Sequence, residues 1–233
     1  MEEQVRKFKP DMVCMMSEAA AKELKSKISD TNTKVVCGMD GLIECATYDK
    51  ADTVLNSVVG MVGLQPTLEA IKAKKTLALA NKETLVAGGH LVTNLAKENG
   101  VQILPVDSEH SAIFQSMQGM PNKKAIKKII LTASGGPFFG KTLDELENVT
   151  AKDALKHPNW DMGAKITIDS ATMMNKGLEF IEAKWLFDMP NEDIEIVVHR
   201  ESVVHSAIVY QDNSMIAQLG VCLLYTSDAA DDR

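Results

Sequence analysis

Short apolar runs alternate with helix-forming stretches along the first half of the chain, and this alternation constrains the fold more than any other feature. Residues 11–16, 34–37, 52–59, 75–80 and 101–104 have the length and composition of strands. Between them lie stretches that read as helices: 17–25, opened by Ser17 as an N-cap; 65–73, with Pro66 in its first turn; and 83–99, closed by Gly100. Strands and helices that alternate at this spacing predict βαβ units, a parallel sheet and right-handed crossovers. The texture changes at about residues 118–125. A strand over 125–132 follows, then helical stretches over 143–155 and 164–187, then strands over 195–198, 203–210 and 215–219. Asp212-Asn213 is turn chemistry, so the last two strands are expected to form a hairpin. Residues 221–233 continue no preceding period; they read as an unrelated tail at the end of a gene fragment, the alternative being an ordinary frayed terminus.

Composition excludes several functions. A net charge of -7 disfavours nucleic-acid binding, and 5% aromatic residues leave little for base stacking. No apolar run approaches the ~18 residues of a membrane span. The first nine residues have no apolar signal region. Cys14, Cys37, Cys45 and Cys222 form no CxxC pair and read as reduced thiols of a cytoplasmic protein.

Chemistry gathers at a few junctions. Asp107-Ser108-Glu109-His110 lies between a strand and a helix, at the carboxyl end of a strand, where ligands of parallel sheets usually sit. Asp107 and Glu109 offer hard oxygen ligands on one side if the backbone stays extended, which suits Mg²⁺ or Mn²⁺. The alternative is ordinary capping: Asp107 or Ser108 as N-cap and Glu109 as a first-turn acid. Lys82, at another strand-to-helix junction, is placed to meet an anion, although a solvated lysine at a strand end fits equally. Ser134-Gly135-Gly136 is a turn in which a backbone can approach phosphate oxygens, or a plain tight turn. Residues 157–163, with His157, Trp160 and Gly163, have a lid's composition, although Trp160 packed in the core fits equally. In 169–187, Leu178, Ile181 and Trp185 are spaced to face the core, while Asn175, Lys176 and Glu179 share a polar stripe. Lys176 and Glu179 as a surface ion pair would contribute only ~0–1 kcal/mol. His199 and His205 lack zinc-type partners and read as structural.

Five runs in order, 80–86, 104–110, 134–138, 157–163 and 169–179, resemble the 1-deoxy-D-xylulose 5-phosphate reductoisomerase family, and the similarity extends from about residue 8 to Gly220. The resemblance implies an α/β fold: the remainder of an NADPH-binding, Rossmann-like parallel-sheet domain over 1–120, an incomplete α+β catalytic domain over 121–220, and the unrelated tail. It implies an NADPH-dependent enzyme of the methylerythritol phosphate route to isoprenoids, acting on a phosphorylated sugar. Asp107, Glu109 and Glu179 would hold Mg²⁺, Mn²⁺ or Co²⁺. Lys82 and Ser108 would contact the substrate backbone. Ser134, Ser170, Asn175 and Lys176 would bind its phosphate, with His157 nearby and Trp160 closing over it. Asn81, Glu83 and Gly163 would lie near the nicotinamide cofactor. Family members are typically cytoplasmic homodimers. Two departures stand out: no GxTGxxG turn precedes the first strand, and the family's sequence beyond Gly220 is replaced by other residues. The expectation is an internal fragment that binds NADPH poorly and turns over little. The competing expectations are another metal-assisted NADPH-dependent dehydrogenase, or a non-catalytic domain that associates through the edge of the 203–219 hairpin.

Overall fold

In the computed structural model, which describes residues 1–156 and 163–220, the alternation resolves into two parallel units and one mixed sheet. Helix α1 (Glu2–Phe8) leads into strand β1 (Met12–Met15), helix α2 (Glu18–Lys27) and strand β2 (Lys34–Cys37). The Ser17 hydroxyl accepts from the Ala20 N–H and caps α2. β1 and β2 pair in parallel with Val13 opposite Val35. Helix α3 (Gly38–Ala46) is absent from the sequence expectation; it contains two glycines, poor helix formers that hide its period. Gly38, at φ +68, lets β2 turn directly into it.

Strands β3 (Thr53–Asn56), β4 (Thr76–Leu79) and β5 (Ile103–Pro105) form a second parallel sheet, joined through helices α4 (Leu64–Lys72) and α5 (Lys82–Asn99). Leu77 and Leu79 of β4 pack on Ile71 of α4 and on Leu85 and Val92 of α5. The Asn81 side chain caps α5 by accepting from the Thr84 N–H at 2.7 Å. Gly88, at φ −127, kinks the helix.

Helix α6 (Ser108–Ser116) follows β5 and precedes strand β6 (Ile126–Ala133). Short helices α7 (Leu143–Leu146) and α8 (Ala151–Ala154) come next, each opened by a threonine capping box. The single helix expected over 164–187 is two, α9 (Ala164–Ala171) and α10 (Met174–Phe187), separated at Met173 with φ +60. Strands β7 (Ile194–Val198), β8 (Val204–Tyr210) and β9 (Met215–Leu219) complete a sheet of order β7-β6-β8-β9. β6 and β7 are parallel; β8 and β9 form the expected antiparallel hairpin. Ile129 and Leu131 of β6, Ile208 of β8, Ile113 of α6 and Phe187 of α10 make one continuous core.

Helix α10 keeps Trp185 against the α5 core as predicted but departs from the predicted pattern at Ile181. Ile181 is 36% exposed, whereas Lys176, Glu179 and Glu182 are buried. Charge, not aliphatic surface, faces inward along part of this helix, because partners from α5 and α6 meet it there.

Candidate active site

The carboxyl end of β5 delivers Asp107 and the first turn of α6. Asp107 occupies the N-cap position and its carbonyl accepts from the Ser111 N–H at 2.7 Å, but its carboxylate makes no capping bond. Glu109 lies in the helix, not in extended backbone, and the Ser108 hydroxyl donates to its Oε2 at 2.7 Å instead of capping α6. The expected capping role of Ser108 is therefore not realised, and both acids are free to converge. Glu179, from the second turn of α10, comes to meet them. Ligand oxygens of Asp107, Glu109 and Glu179 lie within 4.8 Å of one another.

Two lysines hold this cluster together. Lys82 Nζ lies 2.8 Å from Asp107 Oδ2 and 3.5 Å from Glu179 Oε1, and donates to Asn175 Oδ1 at 2.9 Å. Lys176 Nζ lies 2.9 Å from Glu109 Oε1 and also bonds Glu179. The Lys176–Glu179 pair is thus a buried contact inside the site, not the weak surface pair that spacing alone allows. The Asn175 amide donates to Glu179 as well.

Electrostatics follow from this crowding. Burial would raise Asp107, but Lys82 and His110 hold its carboxyl well below the usual range. Burial likewise opposes ionisation of Glu109, and Lys176 outweighs it to keep that carboxyl low. Glu179 goes the other way: burial and the neighbouring charge of Glu109 push it up. Burial would lower both ammoniums, yet Asp107 and Glu179 raise Lys82, and Glu109 and Glu179 raise Lys176. A buried cluster in which like charges lift one carboxyl is a place where a hard divalent cation relieves repulsion, so the donor set fits Mg²⁺ or Mn²⁺.

A cavity opens beside the acids. Besides Lys82, Asp107, Ser108, Glu109 and Glu179, it is lined by Ser134, Ser170, Asn175 and Lys176, so these sequence-predicted residues share one space. A Cβ at Gly136 would lie 2.7 Å from the Ser170 carbonyl oxygen, which explains the glycine where β6 meets α9. Asn81, Glu83 and Gly163 line an adjoining cavity that shares Lys82, Ile166 and Asn175 with the first. There Lys165 bridges Glu83 at 2.8 Å and Asp169 at 2.9 Å. His157 and Trp160 lie outside the described residues.

Three groups escape the sequence reading. His110 is fully buried; its Nδ1 lies 3.2 Å from Asp107 Oδ1 and its Nε2 2.9 Å from the Glu179 carbonyl oxygen. Glu182 is fully buried with Oε2 3.6 Å from His110 Nδ1. Their signal was spacing: His110 is i+3 from Asp107 and Glu182 is i+3 from Glu179, one helical face in each case. The third is His205, read as structural, which lines the cavity with Ser202 and Thr132.

Fold and site define an α/β protein with parallel strands feeding a mixed sheet and a carboxylate centre suited to a hard cation between them. The chain belongs to the 1-deoxy-D-xylulose 5-phosphate reductoisomerase family. Residues 1–89 match the family model for 1-deoxy-D-xylulose 5-phosphate reductoisomerase, and residues 103–187 match the model for the C-terminal domain of that enzyme. The reductoisomerase of Agathobacter rectalis is 62% identical over 219 residues, covering 94% of this chain and 57% of the relative. That of Halalkalibacterium halodurans is 61% identical with the same coverage. The chain thus spans 57% of the length of these curated relatives. Among solved structures, a DOX-P reductoisomerase in complex with NADPH, fosmidomycin and magnesium superposes with a TM-score of 0.88 at 45% identity, over 94% of this chain and 56% of that one. The Zymomonas mobilis reductoisomerase in complex with NADPH gives 0.87 at 42% identity, with the same coverage. No described helix is long and apolar enough to cross a membrane.

Proposed function

We propose that this chain carries the metal and substrate centre of an NADPH-dependent reductoisomerase that converts 1-deoxy-D-xylulose 5-phosphate to 2-C-methyl-D-erythritol 4-phosphate, a step of isoprenoid biosynthesis. The observation that carries the reading is the convergence of Asp107, Glu109 and Glu179 with Lys82 and Lys176 beside a cavity rich in hydroxyl and amide groups. A divalent cation on the three carboxylates supplies Lewis-acid stabilisation of the negative charge that a retro-aldol and aldol rearrangement develops. The residues of the chain do the rest. Lys82 holds Asp107 in place and offers a donor to a substrate oxygen. Ser134, Ser170, Asn175 and Lys176 provide the hydroxyl, amide and ammonium donors that a phosphate group needs. Asn81, Glu83 and Gly163 line the adjoining cavity and would lie near the nicotinamide cofactor. His157 would lie near the phosphate and Trp160 would close over the substrate. The protein is expected to act as a homodimer.

The test is direct. Mn²⁺ binding to this chain, followed by calorimetry, is expected to fall by at least about tenfold in Asp107→Asn and in Glu179→Gln, since each removes one charged ligand. Unchanged affinity in both variants would mean that the acids serve only the fold, and would favour the non-catalytic reading.

A further inference from the structure

Strand β8 does not pair regularly along its whole length. Its partners on β6 run Lys128 with Val209, Ile129 with Ile208 and Ile130 with Ala207. Two residues further, that register would set Thr132 opposite His205. Instead Thr132 and Ser206 exchange bonds between side chain and backbone. The Thr132 N–H donates to Ser206 Oγ at 3.2 Å, and the Ser206 N–H donates to Thr132 Oγ1 at 3.1 Å. On the other edge Val204 faces Leu219 while Ala207 faces Ala217, so β8 carries one residue more than β9 between those pairs. This is a β-bulge, a device that bends a strand and redirects side chains. Ser206, fully buried, sits in it at φ +75. A non-glycine residue in that region is strained, and such strain gathers at functional sites.

The bulge abuts the cavity. His205 is only 5% exposed, lines the cavity, and leaves Nε2 without a hydrogen-bond partner among the described residues. Ser202, at φ +50, lines it too, as do Thr132 and Ser134. A buried ring nitrogen left unpaired is costly unless a group beyond the described residues completes it. We propose that the Thr132–Ser206 exchange is a positioning device that locks the β8 bulge, so that the His205 ring stands in the cavity wall and pairs with an oxyanion bound beside Ser134 and Ser202. The nature of that oxyanion rests on the reading of this end as a phosphate site; the bulge and its effect on His205 do not.

The test uses the chain with isotope-labelled histidine, the His205 ring signal being assigned by its loss in His205→Gln. Inorganic phosphate is the probe. It is expected to shift that signal in the wild type and in Thr132→Ser, which keeps the hydroxyl. In Thr132→Val the ring signal moves without ligand, and phosphate affinity falls roughly tenfold, the scale of one lost charge-assisted bond. Mn²⁺ affinity in the same variant stays within about twofold, because the carboxylates are untouched. Should Thr132→Val fail to fold, Ser206→Gly removes the other hydroxyl while accepting the positive φ, and the same changes are expected. Wild-type phosphate affinity and an unmoved His205 signal in the variant that folds would overturn the proposal. If phosphate binds nowhere in the wild type, the phosphate reading fails separately, and the device then stands or falls on whether Thr132→Val moves the ring signal and Thr132→Ser restores it.

Discussion

Glu182 Oε2 lies 3.6 Å from Nδ1 of His110, with both side chains wholly buried. Burial pushes the Glu182 carboxyl up from 4.5 to about 7, with His110 partly opposing it. Burial alone would lower His110, but the charge of Glu182 and the hydrogen bond to Asp107 carry it from 6.5 to about 9. Both groups therefore bind protons more tightly in the folded chain than in the unfolded one, so stability falls as pH rises. The His110 contribution is complete below its unfolded value and is lost as pH passes about 9; ionisation of Glu182 costs stability from about 4.5 to about 7. The metal-free chain is expected to melt at progressively lower temperature from about pH 5 to about pH 9. Glu182→Gln should flatten that slope, because it removes one titrating group and the charge that raises the other. Scanning calorimetry across the range checks this; a flat wild-type profile would contradict it.

Lys82 stands between Asp107 and Glu179, in the space where a cation would draw the same oxygens. Lys82→Gln leaves two buried carboxylates short of a counter-charge, which typically destabilises by roughly 3–5 kcal/mol. It also removes a competitor for those oxygens. Adding Mn²⁺ should therefore raise the melting temperature of Lys82→Gln by more than it raises that of the wild type. Paired thermal melts with and without Mn²⁺ make the comparison, and an equal or smaller shift in the variant would show that the lysine does not compete.

Gly89 of α5 lies against the indole of Trp185 on α10, where an added Cβ would come within 2.3 Å of the ring. Gly89→Ala forces that ring to move and should cost about 1–3 kcal/mol, despite the better helix propensity of alanine. Trp185→Leu in the Gly89→Ala background should recover part of the loss. Urea unfolding of the two single variants and the double variant gives the coupling directly. Additive losses would mean that the two residues do not press on each other.

The βα alternation was legible because short apolar runs and N-cap residues such as Ser17 and Asn81 act locally. The α3 helix was not, since its glycines erase the period that marks a helix. Asp107, Glu109, Glu179, Lys82 and the cavity donors were readable as chemistry through long motifs, and the structure brings them together. Their burial was not readable. Periodicity counts charge as outward-facing, and on that rule Ile181 points in and Glu182 points out. The reverse holds because His110 and Lys82, distant in sequence, supply compensating charge. His205 was missed for a related reason. Its place depends on a one-residue bulge that strand patterning cannot register.

The contact of Trp185 with Gly89 has a consequence for the site. Helix α10 brings Asn175, Lys176 and Glu179 to the cavity near its start and seats Trp185 on α5 near its end. Helix α5 in turn begins at Lys82, which binds Glu179 and Asn175. The path from α10 to α5 and back closes on itself, as members of a truss do, so no one of these side chains is displaced without straining the others. The donors are thus held by the fold itself. Most of the ordering cost falls on folding, and a guest meets a rigid host.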